Sequence, residues 1–361
     1  MKDQVPNVKD HIYVDSPEAL DEAYRQWAAC SCLGVDLECE NNLHYYGTYI
    51  SIIQVSSEQH NWVVDVLRLQ QIEPVLSMLE DPQIQKIFHD ASFDLMILYH
   101  QFRCRPKNIF DTQIASHFLG KMSVGLDALL QEYFKVAKDG RFQMIDWTRR
   151  PLTHAMLEYA VGDTLYLIKL RDILAEELKK KSRLHWVMEE FAVVEEKGLV
   201  YEERTFMDFP GSAFFTDRQR SVLKHLFDLR RKMAKEANKP PYFVISTKRL
   251  TELVRNPPKS TEDWKNIGGV HPVVKRNARL FYDAVQEGLK GEIKRPPLKR
   301  VHYTPKQAER LKMLSELRED AAKKLQVPKH LLLSKEQMQD IAVTGTLKSL
   351  RKWQKEVFSG I

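Results

Sequence analysis

Short, β-rich apolar runs mark the first part of the chain, and helical spacing of apolar positions takes over from about residue 125. Residues 32–38, CLGVDLE, read as a buried strand that enters a polar end. Residues 49–56, YISIIQVS, and 61–67, NWVVDVL, are two further β-rich runs. Their connections are short, which predicts an antiparallel meander. Helical spacing follows at 70–80, a short buried strand at 84–89, and a helix from Ala91 to Tyr99. Asn108–Asp111 reads as a last strand before a helix at 112–119, and from about 125 onward the pattern is helical. Strands first, then strands alternating with helices, predict a mixed sheet flanked by helices.

A charged segment with helical periodicity, roughly 153–203, leads out of this first domain, and the chain breaks near Phe209–Gly211. A second unit, about 214–290, holds Pro240-Pro241 and Pro257-Pro258 between helical stretches, as a small helical bundle would. RPPLKR at 295–300 reads as a linker. A third unit, from about 303, has helices expected near 305–325, 335–342 and 346–358. FVISTKRLTELV in the second unit and LLLSKEQMQDIA in the third share an outline, a weak internal repeat. The domain boundaries read this way are 1–208, 212–294 and 302–361.

Charge sharpens this division. Residues 1–204 carry 22 Lys+Arg against 32 Asp+Glu, whereas 205–361 carry 33 against 17. An acidic half suited to cations joined to a basic half suited to a polyanion suggests a division of labour. The plainer alternative is a set of solvated basic helices. The chain is 361 residues long and 43% hydrophobic, enough for real cores, and no apolar run is long enough to cross a bilayer. The N-terminus lacks the apolar stretch of a signal peptide, so a cytoplasmic protein is expected. Cys30, Cys32, Cys39 and Cys104 have no CxxC spacing and read as reduced thiols rather than a zinc site.

The candidate chemistry lies in three short patches. Asp36 and Glu38 stand two apart, so on a strand both face one side. Asp94 sits at a strand-to-helix transition, with Asp90 the expected helix cap. Tyr159 and Asp163 are four apart and would share a helix face. Singly, these are weak signals: D-x-E fits two exposed acids, and Tyr159 fits core packing. Together the four carboxylates are the hard ligands that Mg²⁺ and Mn²⁺ prefer, in the number that two-metal phosphodiester cleavage uses.

In chain order, D-x-E, then Asp at the start of a helix, then Y-x-x-x-D resembles the DEDD exonucleases of the tyrosine subtype. KIFHDASFDL, FDTQIASHFLG and DWTRRPLTHAMLEYAVGDTLYLIKL are more closely similar to the ribonuclease D family, and the resemblance covers essentially the whole chain. It implies a ribonuclease H-like exonuclease domain followed by two small all-α HRDC-type domains. It also implies that Asp36, Glu38, Asp94 and Asp163 bind two divalent cations, Mg²⁺ or Mn²⁺, while Tyr159 orients the attacking water. The implied activity is a 3′→5′ exoribonuclease that releases nucleoside 5′-monophosphates from RNA with an accessible 3′ end, tRNA precursors above all, with no small-molecule cofactor and no membrane. Leu37 and Cys39 stand where the family often has Thr and an aromatic, which leaves the 3′-end pocket open. His44, Tyr45, Tyr46, His89, Arg149 and Arg150 are candidate substrate contacts; edge-of-sheet packing for the first three and salt bridges for the arginines are the alternatives. DNA as substrate, and an inactive nucleic-acid-binding protein, are the competing functional readings.

Overall fold

The computed structural model describes residues 10–69, 71–138, 140–197, 201, 203–295 and 302–359. Beyond Arg295, the linker read at 295–300 lies outside the described residues, as does the N-terminus before Asp10. The chain divides into two compact units, one from Met1–Glu38, Ile50–Val200 and Val301–Ile361, the other from Cys39–Tyr49 and Tyr201–Arg300.

The first unit is built on a six-stranded sheet. Its strands are β1 (Ile12–Val14), β2 (Cys32–Asn41), β3 (Thr48–Ser56), β4 (Asn61–Asp65), β5 (Gln85–Phe88) and β6 (Ile109–Asp111), in the spatial order β1-β4-β3-β2-β5-β6. β3 and β4 pair antiparallel, while β1 with β4, β2 with β5 and β5 with β6 pair parallel, so the sheet is mixed. The Val- and Ile-rich runs of β3 and β4 are buried for nearly all their length, as strands covered on both faces must be. β1 was not foreseen: three residues, IYV, are too short to show a period, and only pairing in register with Trp62–Val64 makes them a strand.

Helices α1 (Pro17–Trp27), α2 (Glu73–Glu80), α3 (Ser92–Phe102), α4 (Thr112–Leu119), α5 (Leu126–Phe134), α6 (His154–Thr164), α7 (Leu167–Lys180) and α8 (Leu184–Lys197) flank the sheet. Among its described residues, the charged segment at 153–203 therefore contains three helices. Gly34 explains why the α6–α7 junction lies so close to β2. A Cβ at that position would sit 2.9 Å from the Thr164 carbonyl oxygen and 3.2 Å from Leu167 Cβ, so only glycine admits the approach. Ser56 Oγ fixes the same junction through a 2.6 Å hydrogen bond with Thr164 Oγ1.

The second unit packs helices α9 (Asp217–Glu236), α10 (Thr247–Arg255) and α11 (Ala278–Lys290) around Leu226, Val244, Trp264 and Phe281. Thr216 and Gln219 close α9 with a reciprocal capping box. Gly288 lets α11 cross α9 closely, since a Cβ there would fall 2.6 Å from Val222 Cα. Residues 39–49 belong to this unit. Tyr46 packs against its core, and its N–H donates to Asn238 Oδ1 at 3.4 Å. Tyr242 Oη donates to the Leu43 carbonyl at 2.7 Å, and Lys239 lies over the Tyr45 ring.

The chain then returns to the first unit with α12 (Pro305–Leu325), α13 (Lys335–Thr344) and α14 (Lys352–Val357). These helices share one continuous core with the sheet-flanking helices. Leu314, Leu333, Ile341 and Trp353 are contiguous with Phe118, Leu174 and Phe191. Trp353 is fully buried, edge-on to Phe118 and stacked on Trp186, and its indole N–H donates to Glu190 at 2.7 Å. The Lys352 N–H donates to Glu189, and Glu356 accepts from the Trp186 indole.

Candidate active site

β2 presents Asp36 and Glu38 on one side of the sheet, half-buried, where the strand approaches its polar end. The junction held against Gly34 brings Asp163, on α6, alongside them. One carboxylate oxygen from each of Asp36, Glu38 and Asp163 lies within 4.8 Å of the others. Asp94, buried in the first turn of α3, is close enough for the Asp36 charge to raise its pKa.

Asp94 is positioned by an acid from another element. Asp90 does not cap α3: it has φ +60, and the N-cap is Ala91, with no side-chain hydrogen bond. Buried Asp111 supplies the acceptor instead. It takes the Ala91 N–H at 2.9 Å and the Asp90 N–H at 3.3 Å, while also capping α4 through Gln113 and Ile114. A tertiary partner has replaced the local cap that the sequence suggested.

Concentrated negative charge shows in the acids themselves. Burial, then the charge of Asp163, holds the Asp36 carboxyl well above the usual range. Burial, followed by Asp36 and Asp163, does the same for Glu38. Asp94 is raised by burial, then by Asp36. Asp163 is pushed up to about 6 by burial, with a nearby ammonium opposing the rise. Four carboxyl groups that resist ionisation together form a site that a multivalent cation would satisfy. The donor set is all oxygen, which fits hard divalent cations.

Tyr159 stands one helical turn before Asp163 on α6, whose N-cap Thr153 accepts from the Met156 N–H. Its ring is held by Phe142 and Trp147, with centroids 5.3 and 5.9 Å away. Burial, then the Asp163 charge, pushes its hydroxyl up to about 12, so at neutral pH it is a hydrogen-bonding group and not a base.

The cation beside Asp163 is Lys138, which the sequence did not mark. Its ammonium pairs with Asp163 Oδ1 and lies 4.8 Å from the centre of the Tyr159 ring. The surrounding KVAKDGR has no periodicity and no motif, so nothing in the pattern could have singled it out.

The six candidate substrate contacts belong to three separate segments of the chain. His89 Nδ1 bonds Thr112 Oγ1 at 2.9 Å, and burial lowers its pKa to about 4, keeping the ring neutral. The Arg150 guanidinium forks onto buried Asp65, with Nη2–Oδ1 2.7 Å, and donates to the carbonyls of Trp147, Arg149 and Ser51. It pins the segment before α6 to β4. Arg149 is exposed. His44, Tyr45 and Tyr46 lie in the second unit. There the Glu40 carboxylate accepts from the Leu43 and His44 N–H groups, and Tyr46 joins the helical core.

Residues 11–179 match the family described as 3′-5′ exonuclease, and residues 219–285 match the HRDC domain. Ribonuclease D of Haemophilus influenzae is 29% identical over 228 residues, which are 62% of this chain and 57% of that protein. Ribonuclease D of Pseudomonas paraeruginosa is 25% identical over 366 residues, 96% of each. Among solved structures, Escherichia coli RNase D, described as an exoribonuclease involved in structured RNA processing, superposes with a TM-score of 0.72. It covers 97% of this chain and 96% of its own at 23% identity, a likeness of fold.

Proposed function

The chain is a relative of ribonuclease D, and we propose that it is a divalent-metal-dependent 3′→5′ exoribonuclease that releases nucleoside 5′-monophosphates. The convergence of three acids within 4.8 Å, on elements far apart in sequence, carries this reading. Asp36, Glu38, Asp94 and Asp163 would hold the cations, two of them, Mg²⁺ or Mn²⁺. Those ions supply charge neutralisation and Lewis acidity for in-line cleavage at a phosphodiester. Tyr159 contributes a fixed, un-ionised hydroxyl, set by Phe142 and Trp147 to hydrogen-bond the attacking water and align it.

We propose that it trims the 3′ ends of tRNA precursors or other small structured RNAs in the cytoplasm; the description of Escherichia coli RNase D as an exoribonuclease involved in structured RNA processing supports the RNA part of this reading. Among the described residues no helix is long and apolar enough to cross a membrane. A second HRDC-type copy at 302–361, after the first at 212–294 and the exonuclease domain at 1–208, has structural support. α9 and α12 both start from a Thr/Gln capping box. Arg230 on α9 donates to the Ile245 carbonyl, and Arg318 on α12 donates to that of Leu333, fifteen residues on in both. The basic composition of 205–361 suits RNA contact.

The test is decay of a 3′-labelled RNA beside a DNA of equal sequence. EDTA should stop it and Mg²⁺ or Mn²⁺ restore it. Asp36→Asn or Asp163→Asn should slow it by about three orders of magnitude or more. Near-normal turnover in either variant removes that residue from the site. Faster decay of the DNA would reassign the substrate.

A further inference from the structure

The carboxylate cluster carries its own cation. Lys138 follows α5, and its side chain is only 16% exposed. Its ammonium holds one of the Asp163 oxygens, and it lies within hydrogen-bonding range of Tyr159. Its charge also reaches Asp36 and Glu38, favouring their ionised forms. The same Asp163 carboxylate contributes to the cluster whose oxygens lie within 4.8 Å of one another. A divalent cation seated among these oxygens and an ammonium paired with the same Asp163 carboxylate repel each other at such range. The ammonium therefore opposes a divalent cation at the Asp163 carboxylate.

There is room for the side chain elsewhere. A cavity of about 360 Å³ opens beside it, lined by Lys138 together with Phe142, Glu158, Tyr159, Gly162 and Tyr166. Glu158 provides a carboxylate on its wall, already partnered by His154 at 3.4 Å. We propose that Lys138 is a positioning residue, a tethered counter-ion that holds the acids together in the metal-free protein and withdraws into this cavity when metal enters. The idea rests on the acids being a metal centre, and it adds that metal entry is an exchange of one cation for another.

Removing the ammonium should act on the two states differently. In the metal-free protein Lys138→Met leaves the acids without their counter-charge, so it should melt below wild type. With saturating Mn²⁺ the two should melt together, because the ammonium is then outside the cluster. Mn²⁺ affinity, read from the electron paramagnetic resonance signal of the free ion, should tighten about tenfold. Lys138→Arg keeps the charge, and its metal-free melting should stay near wild type.

A charge that merely sits nearby in both states would also tighten metal binding, but it would shift both melting temperatures. Loaded proteins that differ as much as the metal-free ones therefore overturn the exchange, as does unchanged or weaker Mn²⁺ affinity in Lys138→Met. Should Lys138→Met fail to fold, Lys138→Gln with the same pair of melts decides. Wild-type protein that binds no Mn²⁺, or binds it equally with Asp36→Asn, would instead sink the metal reading itself.

Discussion

Trp353 offers a direct test of whether residues 302–359 belong to the core that supports the acids. Its side chain is fully buried between Phe118, with centroids 5.1 Å apart, and Trp186, at 5.4 Å. Truncating a buried Trp to Ala costs about 3–5 kcal/mol in lost transfer energy and residual cavity. Glu190 would lose the indole N–H but keep Arg351 at 2.9 Å, so the charge is not abandoned and the upper end is not exceeded by much. Trp353→Phe keeps most of the ring contact and removes the hydrogen bond to an ionised acceptor, about 1.5–3 kcal/mol. The assay is native-state hydrogen exchange with attention to β5, whose Ile87 shares the core with Trp353. In Trp353→Ala, protection of β5 amides should fall by the same free energy as that of α12 and α13. If α12–α14 lose protection while β5 keeps its own, the shared core is not one cooperative unit and the reasoning fails.

Two further outcomes follow from the site. Tyr159→Phe keeps the ring between Phe142 and Trp147 and should leave Mn²⁺ affinity almost unchanged, yet slow single-turnover decay of a 3′-labelled RNA by about 10²–10⁴-fold; normal turnover would reduce Tyr159 to packing. Asp163 has a folded pKa of about 6 against an ordinary 3.8, so the folded state holds its proton more tightly. That contribution is fully present at low pH and is lost as pH rises from about 3.8 to 6, a change worth about 3 kcal/mol. The metal-free protein should therefore gain less, or lose more, stability between pH 4 and pH 6 than Asp163→Asn does. Parallel denaturation profiles for the two would refute it.

Much of this arrangement was legible because it depends on local period. The strand at Cys32 entering a polar end, the buried runs at Thr48 and Asn61, and the helix Thr112–Leu119 all follow from spacing that packing did not overrule. Apart from α1, whose Ser16 cap and Pro17 are local signals, what escaped depends on partners distant in sequence. β1 is a strand only beside β4. The turn before α3 is held by Asp111, some twenty residues on, and not by Asp90. Arg150 carries the charge of a phosphate ligand but is committed to buried Asp65, and no spacing links the two. Lys138 is an ordinary lysine until folding sets it against Asp163. Charge counting showed a basic C-terminal half, but not that Trp353 would complete a core begun by Phe118.

The fit at Gly34 also has a practical use. Studies of RNA binding need a protein that cannot cut, and the usual remedy, Asn for Asp, subtracts negative charge where a polyanion must approach. Alanine at position 34 would act instead as a wedge between β2 and the Thr164 carbonyl, moving Asp163 relative to Asp36 while removing none of the acids. The resulting protein would have the same formal charge as the native one and a misaligned centre. Substrate affinity could then be measured apart from cleavage, on an electrostatic surface that has not been altered to obtain it.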